Sequence, residues 1–178
     1  MAFDHTVGTE HQGFSDPSKS THMRGEERVA VAAAALGLEV EVRGFPRGTR
    51  TAADAAHAVG CDVAQIVKSL VFVIDDEPVV ALVGGGDLLD EHKLARAAGG
   101  GSVRQANADE VRAATGYPVG GVPPFGHAWV LRCFMDDALL SHDLLWAAAG
   151  TPTHVFASQP AALATAAGAE IATLRLCS

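Results

Sequence analysis

Apolar residues recur at three- and four-residue spacing in several stretches of the chain, as in helices with one face toward a core. The first stretch ends at Gly37, and glycine is the residue that most often ends helices. Two others open with the pairs Thr51–Asp54 and Asn107–Glu110, which have the spacing of a capping box. The pattern predicts helices over residues 24–36, 51–60, 91–98, 108–114 and 160–167.

Strands are predicted where apolar residues alternate with polar ones or form short continuous runs. The most apolar run, Ile66–Ile74, is followed by a turn over 75–78 and a second run, Val79–Val83, which predicts a hairpin. Hairpins and helical connections together indicate one α/β domain with a mixed sheet. Further strands are predicted over residues 39–43, 129–134, 144–147, 154–157 and 170–174.

The bulk composition narrows the class of protein. A chain of 178 residues, 48% hydrophobic and 19% charged, is typical of one globular domain. No apolar run reaches membrane-spanning length and no signal peptide is evident, so we expect a cytoplasmic protein without membrane contact. The net charge of −8 disfavours a broad phosphate-binding surface, and hence DNA, but a few local cations suffice to recognise one end of a nucleic acid.

Residues 1–22 are polar and aperiodic, so we expect an extension outside a single domain that spans residues 23–178. Two origins stay open for this extension: a native disordered arm, or residues added by cloning ahead of Met23. The three cysteines are far apart, and no histidine pair has the spacing of a zinc-binding helix. We therefore expect neither a metal ion nor a cofactor.

Lys68 is the most informative single residue because it interrupts the most apolar predicted strand. By strand alternation it shares a face with Leu70, Phe72 and Ile74, which is the predicted core face. Lysine is almost never fully buried without a partner. Two interpretations follow: an ammonium that reaches water at the strand's end, or a cation at a pocket rim that polarises a carbonyl or holds a phosphate.

The segment TGYPVGGVPPFGH, residues 115–127, combines four glycines with three prolines. Glycine amides can approach a ligand closely, and the prolines would fix those donors in place. The alternative is a rigid surface loop that only reverses the chain. His127, just after the loop, is a weak candidate base, and a solvent-facing loop histidine is the favoured interpretation.

Together, the segments IVKSLVF (66–72) and GYPVGGVPPFG (116–126) resemble the YbaK/EbsC family, in the superfamily of the prolyl-tRNA synthetase editing domain. The segments TRTAADAAHAVG (49–60) and LRCFMDDALL (131–140) are similar to family patterns in the same order. The resemblance covers about residues 23–174. It implies a barrel-like mixed sheet surrounded by helices, and hydrolysis of wrongly charged aminoacyl-tRNA assisted by the free hydroxyl of the terminal adenosine.

The resemblance also implies the site. The essential lysine of the family matches Lys68, and its glycine-x-x-x-proline element matches Gly120 and Pro124, with Gly121 alongside as a further catalytic position. The implied substrate-binding residues are Ser69, Val122, Phe125, Gly126, Asp136, Ala148 and Gly150.

Three positions depart from the family pattern. Pro123 stands where a serine is frequent, and Ala148-Ala149-Gly150 replaces a serine-glycine-glycine turn. Ser69 stands where the alanine-specific branch has asparagine, which disfavours alanine as the amino acid removed.

The leading hypothesis is a deacylase acting in trans on mischarged tRNA for proline that carries a small amino acid such as cysteine or alanine. Its expected partners are the aminoacyl-tRNA acceptor end and prolyl-tRNA synthetase. The alternatives are a non-catalytic module that binds tRNA or a synthetase, and a hydrolase or binder of another small acyl ester or nucleotide.

Overall fold

The computed structural model describes residues 23–177, so the extension predicted over residues 1–22 lies outside the described residues. The helices of the described range are α1 (Gly25–Ala35), α2 (Ala52–Val59), α3 (Glu91–Ala98), α4 (Ala108–Thr115) and α5 (Pro160–Ala167). Its strands are β1 (Val42–Gly44), β2 (Ile66–Ile74), β3 (Glu77–Gly84), β4 (Val103–Gln105), β5 (Arg132–Asp136), β6 (Leu145–Ala148), β7 (His154–Ser158) and β8 (Ala169–Ala172). Short 3-10 helices span Val63–Gln65 and Asp137–Ser141.

The strands form one mixed sheet in the order β1-β7-β6-β2-β3-β5-β8, with β4 paired to β2 beside this path. The β2–β3, β2–β4, β6–β7 and β1–β7 pairs are antiparallel, whereas β2–β6, β3–β5 and β5–β8 are parallel. The predicted mixed α/β fold is confirmed. Among residues 23–177, no helix combines the length and the apolar character needed to cross a membrane.

The central hairpin β2–β3 is confirmed, but its turn is shorter than predicted. Asp75 and Asp76 alone form the turn, both with positive φ (46° and 70°), which suits a two-residue hairpin loop. Pro78 lies inside β3 opposite Val73 rather than in the turn. Pairing of β3 with β5 begins only at Val79, so the N–H that proline lacks is not needed there.

Both predicted capping boxes are present. The Thr51 hydroxyl accepts a hydrogen bond from the Asp54 amide at 3.0 Å, and the Asp54 carboxylate accepts one from the Thr51 amide at 3.2 Å. Asn107 and Glu110 make the same reciprocal pair at the start of α4. These local bonds fix the beginnings of α2 and α4 beside the sheet.

The observed strands differ from the predicted ones in bounds and in number, and the strand expected over 39–43 covers only Val42–Gly44. The strand expected over 129–134 begins at Arg132, because Trp129 and Val130 are exposed in the preceding loop. The short strand β4 was not predicted, since three residues give too little alternation to separate a strand from a loop.

The sheet is covered on both faces. Val67 and Val71 of β2 point to one face, where α1, α4 and α5 pack with a large apolar cluster. The even-numbered residues of β2 point to the other face. There Ile66 packs with α2, and Phe72 and Ile74 pack with α3. Lys68 lies on this second face, between the two smaller clusters, as its alternation with Phe72 and Ile74 predicted.

The edge of β2 that faces away from β3 is interrupted in its middle. Strand β6 pairs with Ile66 and Val67, and β4 pairs with residues 72–74. Residues 68–71 therefore have strand partners on the β3 side only, apart from a 3.0 Å bond from the Ala106 amide to the Val71 carbonyl. The resulting gap in the sheet is where the candidate site lies.

Candidate functional site

A cavity of about 350 Å³ opens at the gap beside β2. Its floor is residues 66–71 of β2, and its walls come from the start of α2, the segment after β4, the Gly/Pro loop and the end of β6. The lining residues are Thr49, Arg50, Thr51, Ala52, Ala55, Ile66, Val67, Lys68, Ser69, Leu70, Val71, Gln105, Ala106, Val111, Val119, Gly120, Val122, Trp146, Ala147, Ala148 and Val155. Most of these side chains are small or apolar, so the cavity suits a small and largely apolar group.

Lys68 brings a cation into this wall. Its side chain is half-buried, and Nζ donates a hydrogen bond to the carbonyl oxygen of Asp87 at 2.5 Å. Burial lowers the pKa of Lys68, and the negative charge of Asp87 partly opposes that shift. An ammonium has three donors, so one bond to Asp87 leaves two that can serve a bound ligand.

The turn that holds Lys68 is fixed by the end of the chain. The Leu176 amide donates to the Leu88 carbonyl at 2.8 Å, and the Asp90 amide donates to the Leu174 carbonyl at 2.8 Å. These contacts flank Asp87 on its C-terminal side. The lysine is thus held by backbone that is itself bound to a distant segment.

Ser69 presents polar atoms on the other side of the strand. Its Oγ is buried and has no hydrogen-bond partner among residues 23–177. The Val71 carbonyl points away from β3 toward Ala106, and backbone groups of a strand alternate in direction, so the amide and carbonyl of Ser69 point into the same gap. A buried hydroxyl without a partner costs free energy unless a ligand satisfies it.

The Gly/Pro loop contributes Val119, Gly120 and Val122 to the cavity. Gly120 has a φ of +82° and open space around it, whereas Gly121 lies against the backbone of Thr151. The Gly121 amide donates to the Pro118 carbonyl at 2.9 Å, so it closes a turn within the loop. The structure places Gly121 behind the cavity wall, where it fixes the positions of its two neighbours.

The rest of the loop is packed and braced. Pro124 and Phe125 are buried, and the Phe125 ring packs against Phe156 with 5.5 Å between centroids. The Tyr117 hydroxyl donates to the Gly126 carbonyl at 3.1 Å. Pro124, Phe125 and Gly126 therefore lie outside the lining set.

His127 does not face solvent as the sequence suggested. Its Nε2 donates to the Pro123 carbonyl at 2.7 Å, which assigns the proton to that nitrogen. Burial lowers the pKa of His127, and the bond to Pro123 partly opposes the shift. The histidine braces the loop from its far end.

Asp136 is placed away from the cavity. Its carboxylate is fully buried at the end of β5 and accepts hydrogen bonds from the amides of Leu174 and Arg175 at 2.7 and 2.9 Å. The Arg175 guanidinium adds an ion pair at 2.6 Å. Asp136 thus anchors the final segment of the chain, and the expected substrate contact is not among its interactions.

The residues of the Ala148-Ala149-Gly150 turn at the end of β6 lie in two different environments. Ala148 lines the cavity, whereas Gly150 is buried where its backbone approaches that of Gly25. Of the residues expected from the sequence, the cavity brings together Lys68, Ser69, Gly120, Val122 and Ala148.

Sequence reasoning missed several residues of the site, among them Arg50, Trp146 and Asp87. Arg50 lies in the segment TRTAADAAHAVG but was considered only as part of a motif. Trp146 lines the cavity from β6, with the Arg43 guanidinium 5.3 Å from its ring centroid. Asp87 acts through its backbone carbonyl, which has no sequence signal.

The charged residues of the cavity wall are positive, whereas the net charge of the whole chain is negative. Lys68 and Arg50 are in its wall, and no aspartate or glutamate of the described residues lines it, although the net charge of the chain is −8. No group of three histidine, cysteine, aspartate or glutamate residues within 23–177 is placed to hold a metal ion. The wall is therefore suited to an anion or to an oxygen that gains negative charge.

The chain is similar to known proteins in sequence and in fold. The model of the aminoacyl-tRNA editing domain family matches residues 46–166, which contain the cavity floor and the Gly/Pro loop. The fold is similar to a crystal structure of a proposed trans-editing enzyme for prolyl-tRNA synthetase. The two structures match with a TM-score of 0.83 and a sequence identity of 42%. The match covers 88% of this chain and 100% of that one.

Two relatives in sequence show the same likeness. The proline–tRNA ligase of Nitratidesulfovibrio vulgaris (strain DP4) is 40% identical over 92 residues, which are 52% of this chain and 16% of the ligase. The chain thus corresponds to less than a fifth of that ligase. The uncharacterized protein YwhH of Bacillus subtilis is 31% identical over 113 residues, 64% of this chain and 72% of YwhH.

Proposed function

Since the chain belongs to the aminoacyl-tRNA editing domain family, we propose that it is a deacylase that hydrolyses the ester bond of a wrongly charged tRNA. The observation that supports this most directly is the position of Lys68. It is a half-buried cation at a gap in the sheet, in a cavity wall that also contains Gly120 and no carboxylates among the described residues.

The proposed reaction requires stabilisation of charge on one oxygen. A water oxygen attacks the ester carbonyl carbon, and the bond from that carbon to the ribose oxygen breaks. The proton of the water passes to the leaving ribose oxygen through the neighbouring free hydroxyl of the substrate. In this step the ammonium of Lys68 interacts with the carbonyl oxygen as it becomes negative, an interaction stronger in the transition state than in the ground state.

The cavity walls set the size of the acyl group. Ala147, Ala148, Val111 and Val122 line the cavity with Ser69, and their short side chains favour a small acyl group. The buried Ser69 hydroxyl can bond a polar atom of the bound aminoacyl group. We therefore propose a small amino acid as the one removed, with cysteine and alanine as the candidates to test.

The proposed carrier is tRNA for proline. It rests on the similarity to the prolyl-tRNA synthetase trans-editing structure and to proline–tRNA ligases. In this scheme the protein acts in the cytoplasm on the acceptor end of the tRNA. The charged tRNA has either left prolyl-tRNA synthetase or is still beside it.

The test is deacylation of tRNA for proline charged with cysteine, alanine, serine or proline, with enzyme far below substrate. Several turnovers on one of the first three, with proline-charged tRNA left intact, are the expected result. Retention of charged tRNA in equal amounts without hydrolysis would instead favour the non-catalytic module. Equal hydrolysis of all four would contradict the proposed selection by size.

A further inference from the structure

Three arginines lie in the chain segment that leads into the cavity wall at Thr49 and Arg50. The segment 42–53 contains Arg43, Arg47 and Arg50 and no acidic residue. Arg50 lines the cavity, and Arg43 lies over Trp146, which also lines it. We call Arg43, Arg47 and Arg50 the arginine edge.

The backbone of the arginine edge is fixed to the neighbouring turn. The Phe45 amide donates to the Thr153 carbonyl at 2.8 Å. The amide and hydroxyl of Thr49 both donate to the Pro152 carbonyl, at 3.0 and 2.8 Å. Since Thr49 is buried, the segment between Arg47 and Arg50 is held in place next to the cavity.

The charges of this edge are largely free of internal partners. Among residues 23–177, neither Arg47 nor Arg50 forms an ion pair, and both are exposed. Arg43 pairs with the exposed Glu41 at 3.2 Å. The next acidic residue, Asp54, is engaged in the capping box with Thr51.

We infer that Arg47 and Arg50, with Arg43 beside them, bind phosphates of the single-stranded 3′ end of an RNA whose terminal ribose enters the cavity. This inference rests on the proposed function and names the part of the substrate that the edge holds. Guanidinium groups bind phosphate oxygens in a two-pronged geometry that suits this role. The acidic remainder of the surface repels a polyanion, so the edge directs the RNA end toward Lys68.

Binding can be measured without any deacylation. The probe is an uncharged RNA hairpin with a single-stranded CCA 3′ end and a 5′ fluorescein, followed by anisotropy at several salt concentrations. Arg50→Gln and Arg47→Gln should each weaken binding about tenfold, the loss of one charge-assisted hydrogen bond. Each should also reduce the slope of log K against log salt by about 0.7, the value for one phosphate contact in a single strand.

Arg96→Gln is the matched control, because Arg96 is also exposed and free of ion pairs in the described structure but lies on α3, outside the cavity lining. It should keep the parent affinity and slope. A hairpin that lacks the CCA end should bind the parent and Arg50→Gln equally.

The inference is overturned if Arg50→Gln and Arg47→Gln behave like Arg96→Gln, or if the parent does not bind the CCA hairpin. Its failure is distinguishable from that of the deacylase proposal. Normal turnover with an unaltered salt slope in the variants contradicts only the arginine edge. Salt-dependent binding without hydrolysis contradicts only the deacylase.

Discussion

The ammonium of Lys68 and the backbone carbonyl of Asp87 are joined by a 2.5 Å hydrogen bond that links the middle of β2 to the turn after β3. That turn is bonded through Leu88 and Asp90 to residues 174–176 at the end of the described chain. The amides of Leu174 and Arg175 in that segment donate in turn to the buried carboxylate of Asp136. The lysine in the cavity thus depends on contacts formed about a hundred residues away along the chain.

Lys68→Ala should abolish deacylation without unfolding the protein. Loss of one preset donor to a developing oxyanion typically costs about a hundredfold to a thousandfold in rate. Stability should change by only about 1–2 kcal/mol, since truncation leaves no unpaired buried charge. Lys93→Ala is the control, because Lys93 also bonds a backbone carbonyl, that of Arg175 at 2.7 Å, yet lies outside the lining. A folded Lys68→Ala with the parent rate would contradict the role of Lys68.

The pH dependence of turnover and of stability should differ in sign. Burial lowers the pKa of Lys68. Turnover, corrected for uncatalysed ester hydrolysis, should therefore fall as the pH rises through that lowered pKa, below the ordinary lysine value of about 10.4. Stability should rise over the window between the two pKa values, since the unfolded chain binds the proton more tightly there. The measurement is denaturant unfolding of the parent and of Lys68→Met across this range; identical pH profiles would refute the shift.

Ser69→Ala should lower the rate of turnover without lowering the free energy of unfolding. The Ser69 hydroxyl is buried without a partner in the described structure, so its removal should leave stability unchanged or raise it by about 1 kcal/mol. Turnover on the preferred substrate should fall about three- to tenfold, the worth of one hydrogen bond. Ser158→Ala is the comparison, because the buried Ser158 hydroxyl donates to the Gln159 carbonyl and lies outside the lining. It should lose stability and keep turnover.

Gly121→Ala should impair both stability and turnover. A Cβ at this position would lie 2.9 Å from the amide nitrogen and Cα of Thr151, so the loop must shift. Overpacking of this kind costs about 1–3 kcal/mol, and the shift moves Gly120 and Val122 in the cavity wall. Gly99→Ala, at a φ of +96° with open space, should lose stability alone. If Gly121→Ala melts earlier but hydrolyses at the parent rate, the loop is only scaffold.

Asp136→Asn should destabilise the fold far more than Asp137→Asn. Both carboxylates lie 2.6 Å from the Arg175 guanidinium, but Asp136 is fully buried and Asp137 is 43% exposed. Loss of the buried charge should cost about 3 kcal/mol or more, because it also bonds the backbone amides of Ala138, Leu174 and Arg175. The exposed pair is worth less than about 1 kcal/mol. Denaturant titration of the two variants measures the difference; equal losses would contradict the anchoring role.

Much of the fold follows from local features of the sequence. The capping boxes at Thr51 and Asn107 and the alternation through Lys68 depend on residues a few positions apart, so periodicity and turn chemistry were enough to predict them. The two motifs around Lys68 and the Gly/Pro loop also identified the family, because their combination is specific.

The tertiary structure decided how these parts form a site. The gap beside residues 68–71 exists because β6 and β4 pair with the two ends of β2, and strand pairing between distant segments has no local signature. The same is true of Asp87, whose contribution is a backbone carbonyl, and of Asp136, whose carboxylate binds the end of the chain instead of a ligand. Side-chain type and spacing determine which elements form, whereas the atoms that line a cavity depend on how those elements pair and pack across the sequence.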